Sequence, residues 1–106
     1  MNSLGAIEVT MFTSAWRLSG ITGSEAGHLE LNSGRLIYTP LEGTGFNVPL
    51  GEVREVTFPW YYLGGGVKFR IGAEKYRFSF IEPHNDNADV SAGRQTGKAW
   101  KKVLLG

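Results

Sequence analysis

His28 and His84 are the two imidazoles of this sequence, and it contains no cysteine. A thiolate nucleophile, a thiolate metal site and a disulfide framework are therefore excluded. His28 falls at an outward position of an alternating run, and His84 follows Pro83 in a polar stretch with Asn85, Asp86 and Asn87. Zinc and calcium sites need several donors at set intervals, and neither histidine is at such spacing. Ser24, Ser79 and Ser91 have no base partner that the sequence brings into line, so no nucleophile–base–acid arrangement is expected. Gly64, Gly65 and Gly66 precede a strand, without the Lys-Ser/Thr and the following helix of a phosphate-binding loop. These residue types argue against an enzyme, and no cofactor and no metal are expected.

Recognition chemistry is better represented. Residues 58–63 place Phe58, Trp60, Tyr61 and Tyr62 around Pro59, with Leu63 next and three glycines after it. Strand alternation cannot bury Trp60, Tyr61, Tyr62 and Leu63 on one side, so some of them are expected at the surface. Trp and Tyr suit protein interfaces and membrane boundaries because each joins a large apolar body to a polar tip. These four residues are the expected partner-binding group, with the glycines letting the loop adapt; the competing expectation packs Trp60 and Tyr62 under the first strand or the helix. A second group, Lys68, Arg70, Lys75 and Arg77, lies on one face of a single hairpin. Like charges opposite one another cost a little stability, so the face is either a solvated exterior eased by Glu55 and Glu74 or a surface for an anionic partner. Arg94, Lys98, Lys101 and Lys102 form another basic strip.

The elements that must hold these groups are short strands and one helix. Residues 27–81 read as alternating strands between Gly- and Pro-marked turns. His28, Glu30 and Asn32 alternate with inward Leu29 and Leu31, Asn32-Ser33-Gly34 is a turn, and residues 35–39 return. Residues 46–50 alternate again, and Pro49, which has no N–H to donate, marks an edge. Residues 53–58 form the next strand. In the hairpin 67–81, Gly72-Ala73 suits a type II′ turn, which sets Arg70 opposite Lys75, Phe69 opposite Tyr76, and Lys68 opposite Arg77. Val67, Phe69, Tyr76 and Phe78 then face the core. Near the start, Ile7, Val9 and Met11 alternate with Glu8 and Thr10, although Ile7, Met11, Ala15 and Leu18 also fit a helix. Val, Thr and Phe favour the strand, bent or bulged near Thr13 and Ser14. Residues 1–6 are expected to be disordered, and residues 20–27 to be a loop. Residues 88–105 are expected to be a helix capped by Asn87 or Asp89. Its packed stripe would be Val90, Gly93, Gly97, Trp100 and Leu104, and glycines at two of those positions imply a close backbone approach.

Composition agrees with one domain spanning residues 1–106: 42% of the 106 residues are hydrophobic and 20% charged, the profile of an ordinary globular protein. A net charge of +1 gives no reason to expect nucleic acid. Residues 1–15 lack the early basic group and long apolar block of a signal peptide, and a cytoplasmic location is the expectation.

The segment Gly27-His-Leu-Glu-Leu-Asn-Ser-Gly-Arg-Leu-Ile-Tyr-Thr-Pro40 resembles the "G-x-L-x-L-T-x-x-R-L-x-F-x-P" opening of GRAM domains and related bacterial PH-like domains. Val48-Pro49-Leu50-Gly51-Glu52-Val53, followed by Val56, is similar to their "I-P-L-x-x-I-x-x-V" segment. The later hairpin and a terminal helix with Trp100 and Leu104 complete the order over most of residues 10–105. The resemblance implies a mainly β protein: a seven-stranded, bent antiparallel barrel or sandwich capped by one C-terminal helix. It also implies a non-catalytic module that binds proteins or lipid head groups. PH domains that grip phosphoinositides carry several Lys and Arg around the first inter-strand loop, whereas residues 16–27 here offer only Arg17. The leading expectation is therefore protein–protein contact, with self-association as its simplest form, through the aromatic loop and the basic hairpin face. The alternative is peripheral attachment to anionic membrane lipid.

Overall fold

A computed structural model describes residues 10–106. The expected frayed end at residues 1–6, and the first turn of the alternation at Ile7 and Val9, lie outside the described residues.

Seven antiparallel strands form one sheet in the order β4-β3-β2-β1-β7-β6-β5. The strands are β1 (Met11–Ser19), β2 (Gly23–Asn32), β3 (Arg35–Pro40), β4 (Phe46–Pro49), β5 (Val53–Thr57), β6 (Gly66–Ile71) and β7 (Glu74–Ser79), and helix α1 (Val90–Leu105) follows. The sheet is not closed: β4 and β5 are its two edges. It is strongly folded over instead. Phe46 on edge strand β4 packs its ring 4.8 Å from that of Tyr76 on β7, although the two strands share no hydrogen bonds. The mainly β architecture with one C-terminal helix is thus as expected, and it is consistent with a PH-like sandwich rather than a barrel.

Period-two patterning explains the core. Leu29, Leu31, Leu36 and Tyr38 from β2 and β3 meet Val67, Phe69 and Phe78 from β6 and β7, all buried. The β6–β7 register pairs Ile71 with Glu74, Arg70 with Lys75, Phe69 with Tyr76, Lys68 with Arg77 and Val67 with Phe78, as the alternation predicts. Gly72 has φ +60 while Ala73 stays at negative φ, the signature of a type II′ turn. Ser33 and Gly34 both take positive φ in the β2–β3 turn.

Two expectations near the N-terminus need correction. The β1–β2 pairing runs without a break from Met11 opposite Leu31 to Ser19 opposite Gly23, so there is no bulge at Thr13 and Ser14. Residues 20–27 are not a loop: a turn at residues 20–22 leads straight into β2. Gly20 serves the turn with φ +58, whereas Gly27 serves close packing, since a Cβ there would lie 2.5 Å from the Thr39 carbonyl oxygen and 2.9 Å from the Tyr38 ring.

β1 pairs with β7 only at Trp16 and Arg17, which leaves the start of β1 without a strand partner on that side. Helix α1 fills the gap. Trp100 is fully buried, its Nε1–H donates to Thr13 Oγ1 at 2.8 Å, and its ring stacks on Phe80 at 6.4 Å. Asp89 is the N-cap, accepting from the Ala92 N–H at 2.9 Å. The helix buries Gly93, Gly97 and Trp100, but Val90 is 48% exposed and does not belong to the packed stripe. At the first helical position it lies before the point where α1 meets the sheet.

Candidate functional site

The 58–66 segment begins where β5 ends. Pro59 fixes the entry and a single 3-10 turn, Trp60–Tyr62, follows. Tyr62 N–H donates to the Pro59 carbonyl at 3.0 Å, Leu63 N–H to Trp60 at 2.9 Å, and Gly65 N–H to Tyr62 at 2.8 Å. Phe80 N–H donates to the Gly65 carbonyl at 2.7 Å and ties the turn to the chain beyond β7.

These bonds sort the side chains. Trp60 is 83% exposed, and Tyr61 and Leu63 also face solvent. Tyr62 is half-buried, its ring lying where a side chain on Gly66 would otherwise go. The expected surface group is therefore three residues rather than four, and Tyr62 is its anchor. The alternative that Trp60 packs under the first strand or the helix does not hold.

The glycines do not give the loop freedom. Gly65 and Gly66 are buried. A Cβ on Gly65 would meet Ile81, and one on Gly97 of α1 would overlap the carbonyl oxygen of Gly64. Gly64 lies against the helix, Gly65 against Ile81 and Gly66 against Tyr62 and Phe78, so close packing holds the turn in place. The expectation that they let the loop adapt is corrected by this packing.

Leu63 closes the 3-10 turn in a conformation unusual for its type. Its φ is +53, the left-handed region that costs an L-residue with a branched side chain roughly 1–2 kcal/mol and costs Gly nothing. The side chain repays little of this through the fold, because it points outward and is 63% exposed. Backbone conformation of this kind is not visible in the sequence.

The hairpin cations Lys68, Arg70, Lys75 and Arg77 share one face with Glu55 and Thr57 of β5. They are not equally free. Arg70 Nε donates to Glu55 Oε2 at 2.7 Å and its Nη1 to the Gly72 carbonyl, so it is neutralised and holds the turn. Arg77 Nη2 donates to the Gly20 carbonyl at 2.8 Å and fastens the β1–β2 turn to β7. Lys68 Nζ lies 3.4 Å from Tyr61 Oη, and Lys75 is exposed. Glu74 points elsewhere, 3.9 Å from Arg17, whose guanidinium sits 4.5 Å over the Tyr76 ring.

A residue that composition did not single out joins this surface. Ile21, at the tip of the β1–β2 turn, is fully exposed. Gly20 is bonded by Arg77, Arg77 is opposite Lys68, and Lys68 reaches Tyr61. Ile21 and the Trp60 turn are thus two apolar tips joined across β7 and β6 by Arg77 and Lys68. An Ile between Gly and Thr was the available signal. On its other flank the turn meets the helix strip: Leu63 and Gly64 line a groove with Arg94 and Lys98.

Polar chemistry elsewhere is structural. Tyr38 donates to the Glu25 carbonyl at 2.9 Å and to Glu25 Oε1 at 3.0 Å. Burial, followed by the bond to the Glu25 carboxylate and its charge, pushes the phenol above its ordinary range. The His28 ring stacks on Phe12 at 4.7 Å, and His84 Nε2 lies 2.9 Å from the Thr22 carbonyl, to which it donates when protonated there. Among the described residues no three His, Cys, Asp or Glu side chains gather as a metal site would require.

Comparison with protein-family models, with curated proteins and with solved structures gives no match. Among the described residues no helix is long and apolar enough to cross a membrane.

Proposed function

We propose that this chain is a non-catalytic, PH/GRAM-like binding module that docks on a protein partner through the rigid turn carrying Trp60, Tyr61 and Leu63. The observation that carries this reading is Leu63: a strained backbone holds an apolar side chain out into solvent, where the fold gains almost nothing from it. Rigidity adds to it, because a pre-set turn gives up little conformational entropy on binding. Lys68, with Lys75 farther along the hairpin, supplies charge complementarity beside the apolar contact, while Arg70 and Arg77 are engaged within the fold. A second copy of the chain is the simplest partner.

A photo-crosslinking residue in place of Trp60 tests this in the intact chain, with the same residue in place of exposed Glu42 as the control. A discrete adduct at position 60 and none at position 42 is the expected result, and an adduct of twice the chain's mass identifies self-association. Equal labelling at both positions counts against the turn as a contact surface.

One observation favours a second reading, attachment to an anionic membrane. Ile21 and Trp60 are exposed apolar side chains linked through Arg77 and Lys68, and apolar groups with cations beside them suit a lipid surface. Vesicle sedimentation decides it. Binding must rise with anionic lipid and fall with salt, or that reading fails.

A further inference from the structure

The turn and α1 enclose a groove of about 520 Å³ lined by Leu63, Gly64, Val90, Arg94, Gln95 and Lys98. We infer that this groove receives an acidic segment of a protein partner, one carrying a bulky apolar side chain beside Asp or Glu. The inference rests on the reading of the turn as a contact surface and adds the chemistry of what it contacts.

Charge complementarity is the first argument. Arg94 and Lys98 are four residues apart on a helix, hence neighbours on one face. The ion pairs among the described residues are Arg17 with Glu74 and Arg70 with Glu55, so neither groove cation has an acidic partner there. Across from them stands the exposed side chain of Leu63, while exposed Val90, four residues before Arg94, extends their own wall, so one recess sets apolar contacts beside two cations. Val90 thereby acquires a role that packing against the sheet does not give it. Gln95 adds a neutral group that both donates and accepts.

Shape is the second argument. The groove's two walls are locked together, because Gly97 of α1 lies against the Gly64 carbonyl with no room for a side chain. A recess of fixed width needs a guest that enters it. A lipid surface meets projections such as Ile21 and Trp60, whereas a peptide side chain fills a recess.

Selection from a library of short random displayed peptides against the intact 106-residue chain tests the assignment. Selected peptides should pair a bulky apolar residue with Asp or Glu, and should bind about tenfold more weakly when Arg94→Glu and Lys98→Glu are combined, the size expected for loss of a modest charge contribution. Both positions are exposed on the helix, and a retained circular dichroism spectrum and unfolding midpoint establish that the variant folds. Peptides lost with Trp60→Ala but retained by the charge-reversed variant overturn the groove assignment and leave the turn reading standing. Peptides lost with neither variant overturn both. If no peptide is enriched but vesicles with about 30% phosphatidylserine are bound, the assignment is overturned in favour of a membrane.

Discussion

The carbonyl oxygen of Gly64 occupies the place where a side chain on Gly97 would go. The aromatic turn and the helix are thereby a single body, and the surface made by Trp60 and Leu63 inherits the stiffness of the core. Gly97→Ala separates this account from helix propensity. Propensity alone would stabilise α1 by about 1 kcal/mol. Overlap with a backbone carbonyl costs roughly 1–3 kcal/mol, so a net loss in urea-induced unfolding is expected, and a rise in the midpoint would refute the contact.

Leu63→Gly should act in opposite directions on stability and on binding. Glycine accepts the φ of +53 without strain and removes a side chain that is 63% exposed. Thermal unfolding is expected to shift upward, by up to about 1 kcal/mol after the entropy cost of glycine is included. Capture of the partner by the Trp60 turn should fall. A clear drop in stability would mean that Leu63 belongs to the fold rather than to a contact.

Tryptophan fluorescence reports the site without any partner. Trp100 is fully buried, Trp16 half-buried and Trp60 83% exposed. Trp60→Phe should remove the most solvent-exposed, red-shifted emission and most of the quenching by iodide. Unchanged quenching would place Trp60 under cover and withdraw the proposed surface.

Tyr38 predicts an alkaline limit to stability. Its folded-state pKa is raised, so its contribution is complete below the unfolded value, near pH 10, and is lost as pH rises through the higher folded value. Tyr38→Phe should lower stability at neutral pH by about 1 kcal/mol through the lost bonds to Glu25, and should flatten the decline above pH 10 relative to the parent. Chemical unfolding at several pH values checks both effects.

The β6–β7 hairpin was legible residue by residue because everything that defines it is local: strict alternation on both arms and a glycine at the first turn position. The helix was legible in Trp100 and in a cap narrowed to Asn87 or Asp89, of which the fold uses Asp89, and the need for a close approach at Gly93 and Gly97 could be read as well. What they approach could not. A glycine signals either freedom or proximity, and the deciding neighbour is distant in the chain: Tyr38 for Gly27, Ile81 for Gly65, Gly64 for Gly97. The same blindness made residues 20–27 look like a loop and residues 64–66 look like a hinge. At the candidate site, the aromatic group and the basic face were visible as types. Their division into exposed Trp60, Tyr61 and Leu63 and anchoring Tyr62, and of cations into free Lys75 and engaged Arg70 and Arg77, depends on partners such as Glu55 and Gly20 that only the folded sheet supplies.

The two open edges of the sheet are each interrupted. Pro49 on β4 has no N–H, and β5 carries a bulge between Arg54 and Thr57 with Glu55 at φ +57. Neither edge offers an unbroken ladder on which another chain could lay a strand. Both interruptions disfavour edge-to-edge growth from the native state. Among the described residues, contacts with other chains are thus favoured through side chains rather than through strand addition, and single substitutions can redirect them while the sheet beneath stays untouched.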